Sequence, residues 1–124
     1  MATTFRQLRA VETGQILASR LEPATTLWKQ TLGLIGRRRL EAGEGLWLEP
    51  CNGIHTFFMR FPIDVLFLDR EGRALRVLSN VRPWRVCLPV RGARIVVELP
   101  AGSLAAQRIQ VGRRFETIPA AQAE

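Results

Sequence analysis

Ile63-Asp-Val-Leu-Phe-Leu-Asp69 is the segment that says most about the fold of this chain. Alternate side chains of a β-strand point to opposite faces of the sheet. Apolar residues occupy both faces here: Ile63, Val65 and Phe67 on one, Leu66 and Leu68 on the other. A strand that is apolar on both faces is typical of the interior of a sheet that is covered on each side. The stretch is therefore predicted to be a central strand.

The residues that follow predict a hairpin. Asp69-Arg-Glu-Gly72 is a tight loop in which Gly72 takes the left-handed conformation. Other short apolar or alternating segments, separated by turn residues, predict further strands. They are Gln15–Glu22, Leu46–Leu48, Arg73–Val81, Arg85–Val90 (an edge, because of Pro89), Arg94–Leu99 and Arg114–Ile118, with one helical turn at Ser103–Arg108.

After Pro23 the spacing of the apolar residues changes from that of a strand to that of a helix. Leu27, Thr31 and Leu34 fall at helical spacing, as do Trp28, Leu32 and Ile35, which predicts one N-terminal helix of about three turns. Arg37–Arg39 suit its C-terminal end, where cations oppose the helix dipole. The predicted fold is α+β but mainly β: a compact, mostly antiparallel sheet or small barrel with this helix.

Length and composition indicate one globular domain. A chain of 124 residues buries about two-thirds of its unfolded surface and needs no disulfide or metal to fold. We expect a single domain over residues 15–118, with frayed ends at 1–14 and 119–124. Two cysteines make no disulfide framework, and no apolar run reaches the length of a signal peptide or a membrane span. The expected location is the cytoplasm, with reduced thiols and no cofactor.

The chain is strongly basic. Its net charge is +7, because 17 arginines and Lys29 outnumber 11 acidic residues. Such a surface attracts anions and acidic partners. Nucleic-acid binders more often concentrate their charge on one element or interleave it with stacking aromatic residues. The arginines here are spread from Arg6 to Arg114, so the sequence disfavours nucleic acid as the partner.

His55, the single histidine, is the first candidate for chemistry. If Ile54–Met59 is a strand, His55, Phe57 and Met59 share one face. Asp64 follows the Pro62 break, so it can return beside His55 and orient it as an acid–base pair. The alternative is a half-buried structural histidine that bonds a backbone carbonyl.

Charged residues around this stretch are the second set of candidates. Arg60, and Arg82-Pro-Trp-Arg85 with Trp84, can hold a carboxylate or phosphate by bidentate and cation–π contacts. Glu98 interrupts an apolar run, which favours a structural ion pair with an arginine; the alternative is an acid–base pair with Asp64. Cys51, His55 and Cys87 supply only three zinc ligands without a Cys-x-x-Cys pair, so no metal site is predicted.

Several stretches in order resemble a known family. They are Leu32–Arg37, Gly43–Leu48, Pro50–Asp69, Arg82–Arg85 and Glu98–Gly102. Over residues 15–116 the chain resembles domain-of-unknown-function family 192, in particular its subgroup with a His-Thr-Phe segment. The resemblance implies a β-rich α+β domain and no established activity. The chain departs from the family at Gly112-Arg113, where Gly-Asp is usual.

Three functions are compatible with these residues. The favoured one is a non-enzymatic binding module, whose pocket or groove is lined by His55, Arg60, Asp64, Arg82 and Arg85 and receives a small anionic ligand or an acidic peptide. The alternative is a hydrolase-like enzyme in which His55 and Asp64 exchange protons and Arg60 stabilises negative charge. Electrostatic binding of nucleic acid is the third.

Overall fold

A computed structural model describes residues 4–26 and 34–120 of the chain. The described residues form nine strands and one short helix. These are β1 (Arg6–Ala10), β2 (Ile16–Ala24), β3 (Glu44–Leu48), β4 (Ile54–His55), β5 (Ile63–Leu68), β6 (Ala74–Val81), β7 (Val86–Cys87), β8 (Ile95–Pro100), α1 (Ser103–Ala106) and β9 (Phe115–Pro119).

Seven strands form one curled sheet in the order β6-β5-β8-β3-β2-β1-β9. All neighbours are antiparallel except β2 and β3, so the predicted mostly antiparallel sheet is confirmed. The sheet curls into a half-barrel. Its two edge strands approach each other at one end, where Arg73 bridges Arg114 and the Phe115 N–H donates to the Gly72 carbonyl at 2.8 Å.

Strand β5 is the interior strand that its apolar pattern predicts. All six of its residues are buried, between β6 and β8. Leu66 and Leu68 pack into a core on one face of the sheet, which we call the first core. Ile63, Val65 and Phe67 pack into a second core on the other face. The hairpin to β6 is also confirmed, with Gly72 at φ 87°.

The N-terminal part of the chain carried two predictions, a frayed end and a helix. Residues 6–10, inside the segment expected to be frayed, form β1, because Leu8 is fully buried and the strand pairs with both β2 and β9. These partners are distant in sequence, so a five-residue pattern does not reveal them. The predicted helix at Leu27–Ile35 lies almost wholly in residues 27–33, outside the described part, and Leu34–Gly36 are in a turn.

Candidate functional site

A two-stranded sheet stands apart from the main sheet. Strands β4 and β7 pair through Ile54 with Cys87 and His55 with Val86. Their flanking loops are joined as well, because the Cys51 N–H donates to the Arg94 carbonyl and the Val90 N–H to the Asn52 carbonyl, both at 2.9 Å. We call residues 50–62 and 82–94 the lobe. Its apolar side chains, which include Ile54, Met59, Phe61 and Cys87, pack onto the second core.

Thr56 holds the two halves of the lobe together. The residue is fully buried, and its hydroxyl donates to the Arg82 carbonyl at 2.7 Å and accepts the Arg85 N–H at 2.9 Å. Its own N–H donates to the Arg85 carbonyl at 2.8 Å, and its carbonyl accepts the Trp84 N–H at 2.9 Å. Buried polar groups are costly unless they are bonded, and Thr56 satisfies all of its groups within the lobe.

Four rings lie together on the outer surface of the lobe. His55 stacks on Phe57 with centroids 4.9 Å apart, Phe57 lies 5.9 Å from Trp84, and Phe58 lies 4.8 Å from Trp84. Phe58 is 64% exposed and Trp84 is 55% exposed. Both residues have a left-handed backbone, at φ 66° and 65°, a conformation that bulky side chains rarely adopt. The lobe therefore holds two large rings in water at a conformational cost.

The charge of the lobe has one sign. Residues 50–63 and 81–97 contain no Asp or Glu. Five arginines, all exposed, carry the charge: Arg60, Arg82, Arg85, Arg91 and Arg94. Within the described part of the chain, none of the five makes an ion pair. Pairing of β4 with β7 thus brings into one lobe charges that look scattered along the sequence.

A cavity of about 200 Å³ opens beside the lobe, between β7 and the strands β5 and β6. Phe67, Leu78 and Cys87 give it an apolar lining, and Arg76 is the charged residue among the described residues that line it. The arginines predicted to bind a ligand do not line this cavity, because they are exposed on the outer surface of the lobe. The lobe therefore offers a surface of rings and arginines next to a small cavity.

The structure does not bring His55 and Asp64 together. The strand that starts at Ile54 ends at His55, so the predicted common face of His55, Phe57 and Met59 does not form. His55 is exposed, and its Nδ1 accepts the Phe57 N–H at 3.2 Å, so it is not the half-buried structural histidine of the alternative either.

Asp64 is sealed in the interior. It has no exposed surface, and its two oxygens accept the N–H groups of Asn80 and Leu104, each at 2.9 Å. A carboxylate that is occupied by two backbone donors and shut off from solvent cannot exchange protons with a substrate. The predicted acid–base pair of His55 and Asp64, on which the hydrolase hypothesis depends, therefore does not form.

Glu98 does not form the predicted ion pair or the alternative pair with Asp64. Glu98 lies opposite Val65, whereas Asp64 lies opposite Leu99, so the two carboxyl groups point to opposite faces of the sheet. No arginine of the described residues pairs with Glu98. Burial raises its pKa to about 7, since an unpaired carboxylate loses its hydration in the core. The guanidinium groups that were expected to pair with Glu98 stay hydrated at the surface instead.

Both cysteines are free thiols. Burial is the main cause that raises the pKa of the Cys51 and Cys87 thiols, and the carboxyl group of Glu98 adds to it. The Cys51 thiol donates to the Gly53 carbonyl at 3.2 Å. Among residues 4–26 and 34–120, no three His, Cys, Asp or Glu side chains converge in a way that suits a metal ion.

Sequence reasoning missed two parts of this site. The positioning role of Thr56 has no sequence signature, because its partners Arg82 and Arg85 are more than 25 residues away. Phe57 and Phe58 look like core residues in the linear pattern. One signal was visible, namely the absence of acidic residues on both sides of β4 and β7, which indicates that the lobe carries positive charge only.

Comparison with known proteins gives a family and a fold. The model of the family described as DUF192, "Uncharacterized ACR", matches residues 9–117. A UPF0127 protein of Thermococcus sibiricus is 31% identical over 108 residues, which are 83% of this chain and 69% of that protein. One of Pyrococcus abyssi is 42% identical over 65 residues, 52% of this chain and 55% of its own length. The chain thus spans only about half of the Pyrococcus relative.

Two solved structures share the fold. One, from Sinorhizobium meliloti and described as a proposed transcription regulator, has a TM-score of 0.78 at 21% identity and covers 94% of each chain. The other, a protein of unknown function from Novosphingobium aromaticivorans, has a TM-score of 0.76 at 24% identity over 90% of this chain and 83% of its own. No helix of the described residues is long and apolar enough to cross a membrane.

Proposed function

The chain belongs to the DUF192 family of uncharacterized proteins, and from this premise and the geometry of the lobe we propose that it is a non-enzymatic module that binds an anionic ligand. The observation that carries the proposal is that five exposed arginines, which pair with no carboxylate of residues 4–26 and 34–120, lie on a lobe that contains no acidic residue. Arginine recognises carboxylates and phosphates through two parallel N–H donors.

Several arginines acting together are needed for useful affinity. A single exposed ion pair contributes only about 0–1 kcal/mol, because water and salt screen it. Like charges on one surface add their fields and draw anions towards it. The lobe itself contains no carboxylate that would compete with a ligand for its five arginines. Binding at the lobe should therefore weaken as salt rises.

The lobe is also held ready for a ligand. Thr56 fixes the backbone on both sides of Trp84 through its bonds to Arg82 and Arg85. A surface that is already ordered loses less conformational entropy on binding than a mobile loop. Since those bonds use backbone atoms of Arg82 and Arg85, both side chains are free to contact a ligand.

The test is a thermal-shift titration with inorganic phosphate, a polyglutamate peptide, heparin and an oligonucleotide. A ligand that binds only the folded state raises the melting temperature with its concentration. We expect at least one probe to do so, and the double variant Arg82→Ala/Arg85→Ala to lose most of the shift.

The matched control is Arg70→Ala/Arg108→Ala, which removes the same charge from exposed positions outside the lobe. It should keep most of the shift. If no probe stabilises the protein, or if both double variants lose the shift equally, the lobe is not the anion site and the proposal is wrong.

A further inference from the structure

The anion that fits the lobe best has planar groups as well as charge. We infer that the ligand is a single strand of nucleic acid, which stacks its bases on the lobe rings and sets its phosphates on the lobe arginines. This inference rests on the proposed function and names the ligand class of the same surface.

The rings provide a stacking surface. His55, Phe57, Trp84 and Phe58 form a continuous row, with successive centroids 4.9, 5.9 and 4.8 Å apart. Phe58 and Trp84 are more than half exposed, at 64% and 55%. Exposed rings of this size have no role in the core, and nucleic-acid bases stack on such rings without regard to sequence.

Charge and rings occur on the same loops. Trp84 lies between Arg82 and Arg85 with only Pro83 intervening, and Phe58 is two residues before Arg60. Each nucleotide of a single strand carries one base and one phosphate, so a strand can engage a ring and an arginine at each step. The pairing of β4 with β7 brings these two ring-and-arginine segments onto one surface.

Other anions fit less well. An acidic peptide would pair with the arginines but would leave the faces of Phe58 and Trp84 in water. Inorganic phosphate would contact one or two arginines and no ring. In duplex DNA the bases are stacked on each other and offer no free face to a protein ring. The arrangement therefore favours a single strand over these three.

The experiment measures the fluorescence anisotropy of a labelled oligothymidylate about 12 nucleotides long, a length within the range of small single-strand-binding domains. An abasic oligomer with the same number of phosphates separates stacking from charge. A duplex and a polyglutamate peptide of the same length serve as competitors. We expect the oligothymidylate to bind at least about 5-fold more tightly than the abasic oligomer, as expected when one base stacks.

Ring and charge variants give different signatures. Trp84→Ala and Phe58→Ala should each weaken binding at least ~5-fold without changing the salt dependence. Arg85→Ala should make the salt dependence shallower: the magnitude of the slope of log affinity against log salt should fall by about 0.7, the value for one phosphate contact on a single strand. Val111→Ala, an exposed aliphatic residue outside the lobe, is the control and should change neither.

The outcomes separate this inference from the proposed function. Equal affinity for the abasic oligomer, equal affinity for duplex, or binding of polyglutamate alone would overturn the single-strand inference while the anion site stands. If no anion binds the wild-type protein, or if binding ignores the lobe arginines, both fail. Circular dichroism of each variant confirms that it is folded before its affinity is compared.

Discussion

Thr56 and Arg85 bind each other twice through the backbone of Arg85. The Thr56 N–H donates to the Arg85 carbonyl at 2.8 Å, and the Thr56 hydroxyl accepts the Arg85 N–H at 2.9 Å. The two bonds join residues that are 29 positions apart. They fix the position of Trp84 and Arg85 relative to Phe57 and Phe58. The surface that we propose to bind an anion therefore depends on both the backbone and the buried hydroxyl group of Thr56.

Removing that hydroxyl should weaken both the fold and the site. Thr56→Val keeps the shape of the side chain but leaves the Arg82 carbonyl and the Arg85 N–H without their partner. An unsatisfied buried group costs about 1–3 kcal/mol, and because these two groups are partly buried we expect a total loss of about 1–3 kcal/mol in urea denaturation. Thr56→Ser keeps the hydroxyl and should lose less. A loss in Thr56→Val that is no larger than the loss in Thr56→Ser would show that the methyl group matters at least as much as the hydroxyl.

Asp64 should act as a structural residue. Asp64→Asn replaces one acceptor oxygen by an amide, which cannot accept the N–H of Asn80 or Leu104. We expect a loss of about 2–4 kcal/mol in the free energy of unfolding, because a charged acceptor is lost and a donor faces a donor in the core.

Asp69→Asn is the matched control for this change. Asp69 accepts the N–H groups of Glu71 and Arg73 on the same oxygen, Oδ1, so an amide side chain can keep both bonds. The control should lose less than about 1 kcal/mol. Similar losses for the two variants would mean that removal of negative charge, and not the second acceptor, sets the cost.

Glu98 should make stability depend on pH. Its pKa is raised from 4.5 to about 7 in the folded chain, so the folded state holds a proton that the unfolded state releases. The free energy of unfolding should therefore fall as pH rises from about 4.5 to 7 and then level off, by about 3 kcal/mol in all. In Glu98→Gln this fall should disappear, and the variant should be the more stable protein at pH 8.

Urea denaturation between pH 4.5 and 8 measures this effect. Glu71→Gln, at an exposed carboxylate of the hairpin, is the control and should keep the pH dependence of the wild type. A stability curve of Glu98→Gln that runs parallel to the wild-type curve would show that Glu98 does not hold the proton.

Gly72 should tolerate no side chain. Its φ is 87°, and a Cβ at this position would overlap the carbonyl oxygen of Phe115, where the two edges of the sheet meet. Gly112 has a similar φ of 98° but nothing within 4 Å of a Cβ. Gly112→Ala thus measures the backbone cost alone, about 1 kcal/mol.

The difference between the two alanine variants isolates the contact with Phe115. Because the carbonyl belongs to the backbone and cannot move freely, we expect Gly72→Ala to lose at least ~2 kcal/mol more than Gly112→Ala in thermal denaturation. Equal losses would show that the two edges separate easily.

The local pattern predicted most strands but not the site. Five of the six residues of β5 are apolar and they occupy both of its faces, and the turn after the strand contains Gly72, so the interior hairpin follows from neighbours in sequence. Strand β1 was not predicted, because five residues of mixed character become a strand only when β2 and β9 lie beside them. His55 and Asp64 looked like a pair because they are close in the chain.

A β-rich domain, the family and a strongly basic charge all follow from the linear sequence, because they depend on composition, on local periodicity and on long ordered motifs. Where the charge lies depends on how the chain folds. Register on β5 and β8 placed Asp64 and Glu98 on opposite faces, and the pairing of β4 with β7 gathered the arginines and rings into one lobe. Both results depend on hydrogen bonds between distant residues, whose partners no local pattern specifies.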